Sequence, residues 1–403
     1  MQPVAEALLE PWFLAAVAPE PDLFLVLAHI DTEFPELRQI HDAIRAVHPE
    51  VPIQFLAGHA HQRKFKVFDS KSTALESGRY CETAGWISLD GLVPKSPAQQ
   101  RPKDGGPLTV FRRYIDFNRL GFMHHSGTDE TSFDTEAGLT LSADITAYRN
   151  ALDLNRLIGR APRDYTLSQD PYPSAGNWYS FLAETLLPEM IFNAERNDTS
   201  RMIFINGGSQ RFDVFKGPFT YDTSFIVSPF TSRFLYAKDV EYDIAAQLLD
   251  YFLSDPSPYS AEMQAKGELP TPEADPEPEI LRPESLQKPL SGGQAEKVRI
   301  TRGYTTHDDF GSSGDDTVHA PIPRYENPKV IQANVPASLG DKPEVVDVVF
   351  FDFIAENVEM GLNAIVGEER FSRADFKMYM GYEDTLTKLI LEYVGRHWGR
   401  ECV

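Results

Sequence analysis

Asp22-Leu23-Phe24-Leu25-Val26-Leu27-Ala28-His29 is a continuous apolar run that closes on a histidine. About thirty residues on, Pro52-Ile53-Gln54-Phe55-Leu56-Ala57-Gly58-His59-Ala60-His61 repeats the arrangement. Between them, a helical pattern covers roughly residues 35–48. The first run reads as a buried parallel strand, and the second reads as a strand that ends at the Gly-His-Ala-His turn. Strand, helix, strand, with reactive side chains where strands end, is the α/β arrangement. An amphipathic helix over residues 4–18 precedes it, and two or three more strands are expected between Phe65 and Val93, in the runs KFKVFDS and GWISLDG.

Further along, residues 94–108 form a polar, Pro/Gly-rich break, and a helical stretch at 136–158 reads as a connector. A second α/β region starts near Pro162. It is expected to hold a helix at 177–193, strands at Met202–Ile205 and Phe225–Val227, and a long helix at 239–253. Residues 254–295 are rich in Pro and Glu and read as a disordered or extended insertion. A strand at Val345–Phe350 leads into helical segments at 352–362 and 372–396, the last capping the chain. The organisation is therefore three parts: 1–100, a connector at 101–160, and 161–403 carrying the insertion.

With 38 Lys and Arg against 60 Asp and Glu, the chain of 403 residues carries a formal net charge of -22. Such a balance argues against binding nucleic-acid polymers, which demands basic surface. It leaves room for a small phosphorylated ligand, since a few local cations outweigh a distant field. Cys81 and Cys402 make no disulfide framework. No stretch is long and apolar enough to span a membrane. The opening MQPVAEALLEPWFLAAVAPEPD is acidic and broken by Pro, unlike a signal peptide.

Histidine is a borderline ligand suited to zinc, iron and manganese. Gly58 lets the chain turn tightly, and alternate residues His59 and His61 can approach neighbouring ions from one loop, with His29 as a third donor. Three ordinary loop histidines are the other reading. The pattern resembles the last two metal motifs of the calcineurin-like metallophosphoesterases, and the resemblance implies that His29, His59 and His61 bind a dinuclear divalent-metal centre. That family also uses an Asp-x-His, a bridging Asp and an Asn-His pair N-terminal to the first of these histidines. The 28 residues before His29 contain none of them, so N-terminal truncation is expected. Arg79 and Tyr80, in SGRYCETAGW, and the adjacent His124 and His125 read as structural. No Ser-His-Asp or Cys-His nucleophile stands out, and the resemblance implies direct attack by a metal-bound hydroxide.

Asn206-Gly207-Gly208-Ser209-Gln210-Arg211 follows the strand at 202–205, and Val227-Ser228-Pro229-Phe230 comes shortly after. Glycines allow close backbone approach, and Arg211 can hold an oxyanion. Together these resemble the C-terminal domain of 5'-nucleotidases, a fungal-type branch in particular. Phe310-Gly311-Ser312-Ser313-Gly314-Asp315-Asp316 resembles that family's last motif, with Asp315 where the family has glycine. The resemblance covers about residues 20–350. It implies that Asn206 and Arg211 contact a nucleotide, that Phe230 and Phe310 sandwich its base, and that Asp316 binds ribose hydroxyls. Ser232 replaces a common Asn, and Asp170-Pro171-Tyr172-Pro173-Ser174 stands where a cationic patch is expected.

The implied fold is the C-terminal part of a metallophosphoesterase α/β sandwich followed by an α/β 5'-nucleotidase C-terminal domain. The implied activity is metal-dependent hydrolysis of a nucleotide or other small phosphate ester. The missing upstream motifs equally suit a catalytically silent nucleotide-binding protein. Members of the family are often secreted, surface-bound or vacuolar.

Overall fold

The two opening runs form β1 (Phe24–Leu27) and β2 (Ile53–Leu56), which pair in parallel with Leu27 opposite Leu56. The helix Pro35–Val47 crosses between them and buries Leu37 and Ile44 against Ile53, Phe55 and Ala74. β3 (Arg63–Asp69) and β4 (Ser72–Ser77) complete a sheet of order β1-β2-β4-β3, with β4 parallel to β2 and β3 antiparallel. β5 (Thr83–Asp90) and β6 (Thr109–Asp116) form an antiparallel pair.

Two expectations for this region need correction. β1 is an edge strand covered on one face only, so Phe24 and Val26 pack inward while Leu25 and Leu27 are 58% and 75% exposed. Its burial alternates with the pleat instead of extending to both faces. The opening helix is two, Val4–Ala7 and Pro11–Val17, because Pro11 starts a new helix at the position where proline's missing N–H costs nothing.

The computed structural model describes residues 2–92, 108–254, 301–304, 319–321, 324–337 and 342–399. It divides into two units, Met1–Glu136 with Lys288–Ile322, and Ala137–Gln287 with Pro323–Val403. Nearly all of the two Pro-rich segments, together with Phe310, Asp315 and Asp316, lie outside the described residues.

The second unit opens with the exposed helix Glu136–Ala151 and the antiparallel pair β7 (Leu157–Ala161) and β9 (Gly217–Thr220). Its main sheet is built on β8 (Arg201–Asn206), buried at every position, and continues through β10 (Phe234–Glu241). β11 (Thr301–Tyr304) and β12 (His319–Pro321) pair in parallel within the first unit. β13 (Val330–Val335), β14 (Val345–Phe351) and β15 (Lys377–Met378) complete the second sheet in the order β13-β8-β14-β10-β15. β8 and β14 are parallel, with Ile203 opposite Val349, and the other neighbours are antiparallel. Trp178, Phe204, Phe234, Phe350 and Val394 belong to the core around it.

Here too the chain departs from the sequence expectations. Residues 225–227 are helical: Thr220 Oγ1 accepts the Thr223 N–H at 3.3 Å while Thr223 Oγ1 accepts the Thr220 N–H at 3.1 Å. This capping box starts the helix Tyr221–Val227 and overrides the β preference of Phe-Ile-Val. Residues 239–241 remain in β10, where Val240 pairs with Val346, so the long helix shortens to Tyr242–Ala245 and Leu248–Leu253. The helix expected at 177–193 runs from Trp178 to Met190 with a wider π turn at Leu182–Leu186, beside Pro188, which lacks a donor. The last two helices are Ala355–Val366, ended by a left-handed Gly367, and Leu386–His397. No described helix is long and apolar enough to cross a membrane.

In the first unit, β4 buries Glu76 beside the backbone N–H groups of Ala60 and Gln62. Burial, reinforced by the Asp31 carboxylate and opposed by Lys64, pushes its pKa up to about 8 from an ordinary 4.5. The folded chain therefore keeps a proton that the unfolded chain releases, so this stabilisation is full below about pH 4.5 and is lost as pH rises through about 8. Glu76→Gln should flatten that part of the stability–pH curve and stabilise the chain at the alkaline end by on the order of a few kcal/mol. Melting temperatures of both proteins across this range test it, and parallel curves would refute it.

Candidate functional site

Because β1 and β2 are adjacent and parallel, their carboxyl ends emerge side by side. His29 and His59 follow these ends and meet: His59 Nδ1 lies 3.2 Å from His29 Nε2, with ring centroids 5.0 Å apart and nearly perpendicular. The turn is wound tightly, with positive φ at His59 (90°) and His61 (60°), a conformation that carries strain in a non-glycine residue. His61 takes a different partner. Arg79 Nη1 donates to its Nδ1 at 3.2 Å, and the same guanidinium lies 4.2 Å from the centroid of the Tyr80 ring. Arg79, read from sequence as structural, thus touches a candidate ligand.

Two nitrogens 3.2 Å apart match adjacent corners of a tetrahedral ion bound at about 2.0–2.1 Å, so His29 and His59 fit two ligand positions on one ion. His61 does not join them. Among the described residues, no group of three His, Cys, Asp or Glu side chains converges as a metal-holding set.

In the second unit, parallel pairing of β8 and β14 again sets strand ends along one edge. Asn206 is the last residue of β8 and is buried. The chain then turns tightly through Gly207–Ser209. Gly207 is obligatory there: its N–H donates to Lys329 O at 2.8 Å, and a Cβ would sit 1.9 Å from Pro328 O. Ser209 Oγ donates back to Asn206 O at 2.7 Å. Arg211 N–H donates to Val227 O at 2.9 Å, which sets the arginine beside the end of the Tyr221–Val227 helix.

The Arg211 guanidinium lies 5.0 Å from the centroid of the Phe230 ring, within cation–π range. Phe230 stays 39% exposed, so part of its ring can be reached from solvent. Thr387, in the first turn of the last helix, holds the loop by donating to Ser228 O and, at 3.3 Å, to Phe230 O. Of the five nucleotide-site candidates, Arg211 and Phe230 are in contact and Asn206 stands at the same turn. Phe310 and Asp316 lie outside the described residues.

The segment at 170–177 is bonded to itself. Thr166 Oγ1 donates to Asp170 Oδ2 at 2.9 Å, Asn177 Nδ2 donates to Asp170 O at 2.9 Å, and Asn177 Oδ1 caps the following helix.

Sequence reading missed Gln210, Ser228 and Thr387. The first two lie inside the quoted motifs, but their roles depend on which segments face them, and Thr387 sits 157 residues from the loop it holds. Gly207→Ala should lower stability by roughly 1–3 kcal/mol through overpacking against Pro328. Thermal denaturation tests this, and an unchanged midpoint would show that the turn can yield.

The chain matches the family described as NAD nucleotidase, C-terminal domain, over residues 164–359. A protein of Arthroderma benhamiae named "Secreted protein" is 36% identical across 98% of this chain and 65% of its own length. An uncharacterized protein of Schizosaccharomyces pombe is 33% identical across 99% of this chain and 65% of its own. The chain thus spans 65% of the length of these curated relatives. The crystal structure of 5'-nucleotidase from Candida albicans superposes with a TM-score of 0.72 at 30% identity, covering 98% of this chain and 68% of that one. With sequence and fold matched over most of both chains, this protein belongs to the 5'-nucleotidase family.

Proposed function

We propose that the protein releases phosphate from a nucleotide or related small phosphate ester, using divalent metal ions of the zinc, manganese or iron class. The observation that carries this reading is Arg211 over the partly exposed Phe230 ring beside the Asn206 turn. Every nucleobase has a π face, so an exposed ring next to a guanidinium selects nucleotides as a class with little regard to base. Phe230 stacks the base, and Arg211 and Asn206 contact the bound nucleotide, with Arg211 able to take an oxyanion through charge-assisted hydrogen bonds. Phe310 as the second ring and Asp316 as the ribose ligand rest on the family resemblance.

The family resemblance assigns the metal to His29, His59 and His61, of which only His29 and His59 stand together here, and a bound ion would supply an activated water and stabilise charge on the leaving oxygen. While Nδ1 of His61 accepts from Arg79, a neutral ring carries its proton on Nε2, so His61 would have to release Arg79 before it could offer a lone pair to an ion. In this division of labour residues 1–100 carry the metal half, 101–160 connect, and 161–403 carry the nucleotide half. We place the protein in a secreted or vacuolar compartment, with support from the name of the Arthroderma benhamiae relative.

A second reading is a catalytically silent nucleotide binder. It is favoured by the failure of three metal donors to converge among the described residues. Phosphate release from adenosine 5'-monophosphate with manganese or zinc separates the two. Turnover that disappears in His59→Ala sustains hydrolysis, whereas binding without turnover leaves the silent binder. Phe230→Ala should weaken nucleotide binding by about 1–3 kcal/mol. Unaltered affinity would remove the stacking role.

A further inference from the structure

We infer that Gln210 is the positioning residue of the nucleotide site, fixing Arg211 and Phe230 relative to Asn206. The inference rests on the nucleotide-site reading above. Gln210 is buried, and its side-chain amide bonds its own glycine turn to two distant segments. Its Oε1 accepts from Trp178 Nε1 at 2.8 Å, at the start of the Trp178–Met190 helix. Its Nε2 donates to Ser209 Oγ at 3.2 Å in the glycine turn and to Ser228 Oγ at 3.3 Å in the loop before Phe230.

The direction of every bond is determined. An indole N–H can only donate, so the amide oxygen must face Trp178 and the NH2 must face the two serines. The Ser209 hydroxyl spends its single proton on Asn206 O, so it accepts from Gln210. The result is a directed chain from Trp178 through Gln210 and Ser209 to Asn206, with a branch to Ser228.

Two backbone constraints run beside this chain. Arg211 N–H bonds Val227 O, and Thr387 ties the Ser228 and Phe230 carbonyls to the last helix. The backbone bonds hold the segments together, and the amide fixes how the glycine turn and the Phe230 loop sit against each other. Arg211 is the next residue after Gln210 and Phe230 lies two after Ser228, so small shifts of either segment would change how the guanidinium meets the ring. At position 210 an aliphatic residue would leave the indole N–H unmatched, and a carboxylate would bring a buried charge.

The test uses the full chain, with adenosine 5'-monophosphate as probe and calorimetry well below the melting temperature. Gln210→Met keeps the unbranched shape without the polar atoms. Ser228→Ala removes only the branch to the Phe230 loop and leaves the Trp178 bond intact, so it decides the matter should Gln210→Met fail to fold. Each variant should weaken binding, by about tenfold for Gln210→Met and by a smaller factor for Ser228→Ala. In a Phe230→Ala background the additional loss should shrink, because only Arg211 and Asn206 then remain to be positioned. A purely structural role would lower the melting temperature of Gln210→Met and leave the affinity of the folded protein unchanged. If Phe230→Ala abolishes binding while Gln210→Met and Ser228→Ala bind normally, the inference falls and the nucleotide site stands. If Phe230→Ala binds normally, the site reading itself falls and takes the inference with it.

Discussion

Parallel pairing forces the carboxyl ends of neighbouring strands onto one edge of their sheet, and the functional geometry of this protein depends on that constraint twice. In the first unit it brings His29 against His59 from sequence positions thirty apart. In the second, it leaves Asn206 at the end of β8, with β14 ending alongside. Neither arrangement follows from local propensity. Each requires a crossover that returns the chain in the same direction, and the candidate residues sit where the strands give way to loops. Backbone there is free of the ladder and can turn tightly, as the left-handed His59 and His61 and the Gly207 turn do.

In a chain with a net charge of -22, any attraction for an anion has to be local. Arg211 and Arg79 are placed for that, each lying over an aromatic ring, Phe230 and Tyr80 respectively. Stacking holds a guanidinium at a fixed height above the ring while leaving its in-plane N–H groups directed outward. Arg79 spends one of these on His61. The two units therefore use the same device for different ends.

Much of the fold was legible in the sequence because its strongest signals are long apolar runs with turn residues at their ends. β2, β8 and β14 are buried, and their boundaries fall within a residue or two of expectation. The misreadings have a common cause. Phe225-Ile226-Val227 looks like a strand by composition, but a reciprocal hydrogen bond between Thr220 and Thr223 decides for helix. β1 looks buried because its run is unbroken, yet burial depends on what covers its second face. At the site, the family resemblance singled out Arg211 and Phe230, which do meet. Gln210 and Thr387 carry no signal of their own, because their partners are defined only once distant segments are packed together. Arg79 was passed over for the same reason.

The exposed leucines of β1 also bear on how the molecule behaves in solution. An edge strand offers unpaired backbone N–H and C=O groups in the spacing another strand needs, and natural edges are usually blunted by charge or proline. β1 carries Leu25 and Leu27 outward and has no charged residue between Phe24 and Leu27. Among the described residues β1 thus ends its sheet without such a gatekeeper, and a lysine at position 25 would supply one while leaving the inward-facing Phe24 and Val26, and the core they pack on, undisturbed.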